Sequence, residues 1–356
     1  MMDIPTLDGV RTQMIETNRI KTRVLFTGPD DGIPVLFLHG NLSSATWWEE
    51  TMLALPQGFR GIAPDQRAFG LADADKKIDA TRGAGDWADD ALALLDKLSI
   101  QKVHLVGNSL GGNAVWYMMA HYPERLLTVT QIAPGSPYGF GGTKDVDGTP
   151  CYPDFAGSGG GLTNPKVVEA IQAGDRSTEN PFSLTSAFRA LVWKPPFVPS
   201  REEDIVTSSL LLHIGPEDTP GDMVPTANWP YVSPGKWGPN NALSPKYVGD
   251  TVEKLIGAEP KPPVLWVRGS HDLAVSDTAA GDIGSLGPSG IIPNYPGPEV
   301  YPPQPMLAQT RHVLDQYQAK GGHYREEVMD GCAHAPFLEK PEVFNALFHA
   351  HLQQPE

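Results

Sequence analysis

The stretch VHLVGNSLGGNAVWYMMAHYPER, residues 103–125, raises the first question about this chain. Residues 103–106 are an apolar run of strand length, and residues 114–120 read as a buried helix. Between them stand Gly107, Asn108, Ser109, Leu110, Gly111 and Gly112. Three glycines around one hydroxyl, where strand turns into helix, fit the pattern GxSxG. In a nucleophile elbow the serine occupies a sharp, strained strand-to-helix turn. The flanking positions leave little room for a side chain, a need that glycine meets. Such a turn lifts the hydroxyl above the strand ends and sets it at a helix N-terminus, where backbone N–H groups face developing negative charge. A serine that merely caps a helix would carry the same letter. Against that, the motif occurs once and falls at the junction it requires.

Outward from this junction the chain alternates. Residues 23–26 and 35–38 read as strands. Residues 44–55 read as a helix capped by Ser43 or Ser44, and residues 61–63 as a short strand ending in Pro64-Asp65. Trp87, Ala91, Leu94, Leu95 and Leu98 recur at helical spacing, and residues 126–132 form another strand. This order predicts an α/β fold built on a doubly wound, mostly parallel sheet. At Ala133-Pro134-Gly135 the texture changes. GFGGTKDVDGTP and FAGSGGGLTNP cannot be regular elements, although residues 167–173 and 181–193 read as short helices. Trp229, Tyr231 and Trp237 lie in the loop-rich part, and disordered linkers usually lack aromatics. The expectation is an ordered cap of residues 135–262 packed on a core of residues 1–134 and 263–356. The sheet pattern resumes at 264–267, and a second Pro/Gly-rich insertion runs from 281 to about 305. Residues 306–318 read as a helix, 324–329 as a strand, and 341–352 as a closing helix with Val343, Phe344, Leu347 and Phe348 on its apolar side.

Composition narrows the function classes. Of 356 residues, 42 are acidic and 27 basic, a formal charge of −15 that repels phosphate backbones and argues against a nucleic-acid partner. The first 22 residues lack a basic segment followed by an apolar run, and no stretch approaches a membrane span. A cytoplasmic protein with no membrane partner is expected. Two cysteines, Cys151 and Cys332, make a disulfide scaffold or a zinc-thiolate site a poor reading. HExxH and Walker-type loops are absent, so neither metal nor cofactor is expected.

A serine nucleophile needs a base. Among ten histidines, His334 in GCAHAPFLEKP is placed best, after the last strand and before the last helix. Asp272 follows a strand through a Gly-Ser-His turn, so its carboxylate can reach the sheet's carboxyl edge and hold the imidazole tautomer. Asp277 is the fallback acid. The order Ser109, Asp272, His334 is that of serine hydrolases of this architecture. The oxyanion donors are expected to be the backbone N–H groups of Leu110 and Asn41, with Leu42 as fallback. Gly40 lets the loop approach, and His39 braces it. Trp47 and Asn108 are the candidate substrate-binding side chains. Trp48, Trp193, Trp229 and Trp237 are further aromatic wall candidates, for which ordinary packing is at least as good an account. Cys332 reads as a buried small residue outside the elbow.

These residues resemble the landmarks of the α/β-hydrolase-fold superfamily. FLHGN at 37–41, APDQRAFGLAD at 63–73, LVGNSLGG at 105–112 with HYPER downstream, VRGSHD at 267–272 and GCAHAPFLEKPEVF at 331–344 follow the family's order. The match covers roughly residues 20–134 and 263–354. The resemblance implies a Ser-His-Asp hydrolase acting on a small-molecule ester or lactone. Departures are informative. Haloalkane dehalogenases and epoxide hydrolases of this fold carry Asp where Ser109 stands, and a halide-binding tryptophan is replaced by Leu110. GNSLGG is similar to carbon–carbon bond hydrolases of ring-cleavage products, whose caps are shorter and mainly helical. That activity, a hormone-receptor-like member retaining the triad, and a cofactor-independent perhydrolase stay open as alternatives. Oligomeric state stays open too.

Overall fold

The structure, a computed structural model, describes residues 4–353. Eight strands make one sheet: β1 (Arg11–Glu16), β2 (Lys21–Thr27), β3 (Ile33–Leu38), β4 (Phe59–Pro64), β5 (Val103–Asn108), β6 (Leu126–Ile132), β7 (Val264–Gly269) and β8 (Tyr324–Met329). Their spatial order is β1-β2-β4-β3-β5-β6-β7-β8. The pairs from β4 onward are parallel, and β1/β2 and β2/β4 are antiparallel. The doubly wound, mostly parallel α/β sheet is therefore present. The antiparallel edge strand β1 was not expected. RTQMIE buries only Ile15, so its apolar pattern is too thin to read.

Strand β5 is buried along its whole length, which explains an unbroken apolar run: helices cover both faces of a parallel sheet. Those helices are α1 (Gly85–Lys97), α2 (Leu110–His121) and three more from the last third of the chain, Thr251–Gly257, Met306–Ala319 and Pro341–Leu352. The expected helix at 44–55 divides into a 3-10 turn, Ala45–Trp48, capped by the Ser44 side chain, and an α-helical turn, Glu49–Leu53.

The cap carries α3 (Pro165–Gln172), α4 (Leu184–Leu191), α5 (Glu202–Ser209) and a small antiparallel pair, Met223–Pro225 with Val232–Pro234. Helix α6 (Thr251–Gly257) packs on α2 and on α7 (Met306–Ala319), so the sheet-covering part resumes at Thr251, ahead of position 262. The second insertion packs on the first. Trp229 meets Tyr301 and Tyr295 at ring-centroid distances of 4.9 and 5.3 Å, and the Tyr301 hydroxyl donates to the Ala156 carbonyl. The cap is thus built from two chain segments. In the closing helix α8 (Pro341–Leu352), Phe344, Phe348 and Leu352 are buried, but Val343 is 51% exposed. The buried stripe runs at four-residue spacing, and position 343 is rotated off it.

Candidate active site

The elbow is held from both sides. Ser109 has φ 54° and ψ −119°, a conformation L residues rarely adopt. Its N–H donates to the Ile132 carbonyl, and its carbonyl accepts from Gly112 and Gly135. The three glycines answer the opening question by close approach. A Cβ at Gly107 would come within 2.6 Å of Val115 Cγ2, and one at Gly112 within 2.7 Å of Gln131 Oε1. At Gly111 a Cβ would fall on the Leu38 carbonyl oxygen. Helix α2 therefore presses directly on β3 and β5, with its N-terminus behind Ser109.

Asp272 and His334 follow β7 and β8 at the same sheet edge. His334 Nδ1 is 2.8 Å from Asp272 Oδ2, and both residues are buried. The other carboxylate oxygen accepts from the backbone N–H groups of Ala274 and Val275, at 2.8 and 2.9 Å. A carboxylate accepts here, so Nδ1 carries the proton and Nε2 is left with a lone pair. Asp277 is used differently: it accepts from the N–H groups of Leu307 and Ala308 at the start of α7. His271 lies on the surface side of the turn, bonded to Ser270 Oγ.

On the oxyanion loop, His39 Nε2 accepts from Gln66 N–H at 3.0 Å, and its Nδ1 faces the Gly40 carbonyl at 2.9 Å. Burial pushes its pKa down to about 4, so the ring is a neutral brace. Gly40 is where the loop meets the elbow: a Cβ there would stand 3.1 Å from Ser109 Cβ. Leu42 N–H donates to Asn41 Oδ1, which leaves the fallback donor occupied. Asn41, Ser109 and Leu110 share a cavity of about 380 Å³ beneath the cap. Leu110 begins α2, and a first-turn N–H has no carbonyl partner within its helix.

A family model described as the alpha/beta hydrolase fold matches residues 33–153. The AB hydrolase superfamily protein YfhM of Bacillus subtilis (strain 168) is 32% identical over 148 residues, 41% of this chain and 50% of that protein. The 2-hydroxymuconate semialdehyde hydrolase of Pseudomonas sp. (strain CF600) is 35% identical over 98 residues, 27% of this chain and 34% of that protein. A crystal structure of a putative aryl esterase from Burkholderia cenocepacia superposes with a TM-score of 0.57 at 18% identity, covering 96% of this chain and 98% of the other. The chain has the α/β-hydrolase fold and resembles that superfamily over residues 33–153. Its matches to the two curated relatives span half of their length or less, and the structural likeness speaks for the fold alone.

Within this α/β-hydrolase fold, two expected substrate contacts lie elsewhere. Trp47 is not on the cavity wall. It is buried between sheet and cap, with Nε1 donating to Ser209 Oγ and its ring edge-on to Phe188 at 5.2 Å and tilted against Trp193 at 5.8 Å. A large ring there glues the cap helices to the core. Asn108 is buried below Ser109, where Nδ2 donates to the carbonyls of Ile132 (3.0 Å) and His334 (3.4 Å). It ties the elbow to the histidine loop. Trp48 stacks on Phe337 at 4.5 Å inside the core, Trp229 packs in the cap, and Trp237 is part-exposed. Cys332 is buried, and burial raises its thiol pKa to about 11, so it makes a poor nucleophile.

Three connections join the cap to the site. The Val192 carbonyl accepts from both His334 N–H and Ala335 N–H, at 2.9 and 3.1 Å. Glu339 accepts from Ala333 N–H with one oxygen and from Lys194 N–H with the other. Burial raises the Glu339 pKa against those two donors. Asn41 Nδ2 donates to Asn240 Oδ1, and Asn240 Nδ2 donates to Thr163 Oγ1. Glu339 lies in the GCAHAPFLEKPEVF stretch, where nothing in the letters marks its role; Asn240 lies in the one-turn helix Pro239–Ala242 and Thr163 in a loop, both too short to show a period. Among the described residues, no group of three or more His, Cys, Asp or Glu could hold a metal, and no helix is long and apolar enough to cross a membrane.

Proposed function

We propose that the protein is a serine hydrolase that cleaves a carboxylic ester or lactone through an acyl-enzyme on Ser109. The observation that carries this reading is the pairing of a strained Ser109 elbow with a buried Asp272–His334 hydrogen bond of 2.8 Å. His334 Nε2 takes the Ser109 proton as Oγ attacks the carbonyl carbon. Asp272 keeps the proton on Nδ1 and stabilises the imidazolium that forms. The N–H groups of Leu110 and Asn41 receive the oxyanion; loss of one such donor costs ~10²–10³ in turnover. Collapse of the tetrahedral intermediate breaks the C–O bond to the leaving alcohol, which takes the proton from His334. Water, deprotonated by the same imidazole, then frees the acid. The chemistry asks for neither metal nor cofactor.

The test is pH-stat hydrolysis of alkyl esters, aryl esters, small lactones and macrolactones, with Ser109→Ala as blank. Turnover of at least one class, lost in the variant and accompanied by fluorophosphonate labelling of Ser109, is the expected result. Undiminished turnover in Ser109→Ala would falsify the assignment. Turnover of a vinylogous diketone and of no ester would put carbon–carbon bond hydrolysis in its place.

A further inference from the structure

We infer that the cavity admits an uncharged carbonyl compound and rejects substrates that carry a free carboxylate. The inference rests on Ser109 as the reacting group and adds the charge class of what reaches it. One wall is apolar, with Val167, Val168 and Ile171 of α3 and Leu191 of α4 facing the space above Ser109. The polar wall holds only amides and hydroxyls, and no lysine, arginine, aspartate or glutamate is among the described residues that line it. Three arginines of the cap are paired elsewhere, Arg189 with Glu202, Arg201 with Glu49 and Asp204, and Arg176 with Glu203; Lys166, next to the lining residues of α3, lies over the Phe182 ring at 4.9 Å, and Lys77 of the core holds Asp218.

Three of the four lining amides are committed as well. Asn41, Asn240 and Thr163 form a chain of side-chain bonds, 2.9 and 2.7 Å long, and Asn113 donates to the Ser136 carbonyl. The Thr219 hydroxyl is different. Thr219 lines the cavity, but its Oγ1 is buried away from the open space and has no hydrogen-bond partner. A wall of neutral amides and hydroxyls does not replace the solvation of an anion, and a carboxylate buried without a cation is expelled or neutralised. The net charge of −15 works in the same direction at longer range, by lowering the local concentration of anions.

The experiment compares 4-nitrophenyl pentanoate with 4-nitrophenyl hydrogen glutarate, which differ at the acyl terminus by a carboxylate for a methyl group. On the wild-type protein kcat/KM is expected to favour the neutral ester by at least 100-fold. Val168→Lys, which sets an ammonium on the wall, is expected to shrink that ratio at least tenfold. A wild-type ratio within tenfold overturns the inference. So does an unchanged ratio in a Val168→Lys protein that still labels at Ser109. Should neither ester turn over, the ester reading fails alone, and binding decides. Phenylboronic acid and 4-carboxyphenylboronic acid are then compared as protectants of Ser109 against a neutral fluorophosphonate. Protection by the neutral acid at 100-fold lower concentration sustains the inference; equal protection overturns it.

Discussion

In β5 all six residues are buried, and the backbone is paired with β3 on one side and β6 on the other. At Gly160 and at Gly235, just past the short Met223–Pro225/Val232–Pro234 pair of the cap, Asn241 takes the place of a ladder. Its Oδ1 accepts from Gly160 N–H and Gly235 N–H, and its Nδ2 donates to the carbonyls of Asp222 and Trp237. Gln304 does the same further on, accepting from Gly141 N–H and donating to the Gly139 carbonyl. Gln309 accepts from Ser136 Oγ and donates to Thr143 Oγ1 and the Asp145 carbonyl. The sheet satisfies buried backbone by repetition, while the cap satisfies it with single amide side chains placed one by one. Both solutions meet the same demand, that a buried polar group find a partner.

The two aspartates after β7 give the largest expected contrast. Asp272→Asn should lower kcat/KM by roughly 10⁴-fold with the fold intact, because an amide no longer fixes the His334 tautomer. Asp277→Asn keeps an acceptor oxygen at the helix start and removes only its charge. It should cost about 1 kcal/mol in urea unfolding and leave kcat/KM within a few-fold. Kinetics and unfolding on the same two proteins decide it. A large kinetic loss in Asp277→Asn with little in Asp272→Asn would exchange their roles.

Next in size is the cap amide. Asn241→Ala deletes side-chain bonds to four residues at a fully buried position and is expected to cost roughly 3–5 kcal/mol. Hydrogen exchange locates the loss. The Gly160 and Gly235 amides should lose protection well before the amides of β5. Leu105→Ala, a cavity mutation of similar cost on β5, should lower both regions together. Equal loss of protection everywhere in Asn241→Ala would mean that sheet and cap unfold as one unit, and the contrast between them would be one of bonding alone.

The same contrast explains what could be read from the letters. Residues 126–132, 324–329 and 341–352 were delimited from sequence with the bounds the structure has, and each belongs to the sheet or its flanking layer. The elbow was legible because three glycines and one serine have a fixed spacing with a steric cause. Asn240, Asn241, Gln304 and Thr163 were not, because a polar side chain that staples distant segments has no period and its partners lie up to 199 residues apart, as Asn41 and Asn240 do. Trp47 misled for a related reason. Its nearness in sequence to the oxyanion loop says nothing about which way a ring points once the cap helices compete for it.

Acid separates the regions more gently. Burial lowers the pKa values of His39 and His104, both in or beside the sheet, from 6.5 to about 4. A folded-state value below the unfolded one means that the unfolded chain takes up protons first on acidification. The stability these neutral rings sustain is full above pH 6.5 and is lost as pH falls toward 4, by roughly 1 kcal/mol per histidine at pH 5.5. Urea midpoints at pH 7.5 and 5.5 should show this loss, and His104→Gln should remove about half of it. A midpoint unchanged between these pH values would mean that the rings are hydrated in a way their burial denies.

The smallest expected effect tests the register of the repeating part. Val343 and Phe344 are adjacent apolar residues of α8, one 51% exposed and the other fully buried beside Phe337 and Phe348. Val343→Ser should change the unfolding free energy by less than about 0.5 kcal/mol, whereas Phe344→Ala should cost about 3–5 kcal/mol. Hydrophobicity is the same in kind at both positions; only the 100° step of the helix separates them. A large loss at Val343 would require a covering surface that one copy of the chain does not supply, and dilution-dependent stability would then be the observation to seek.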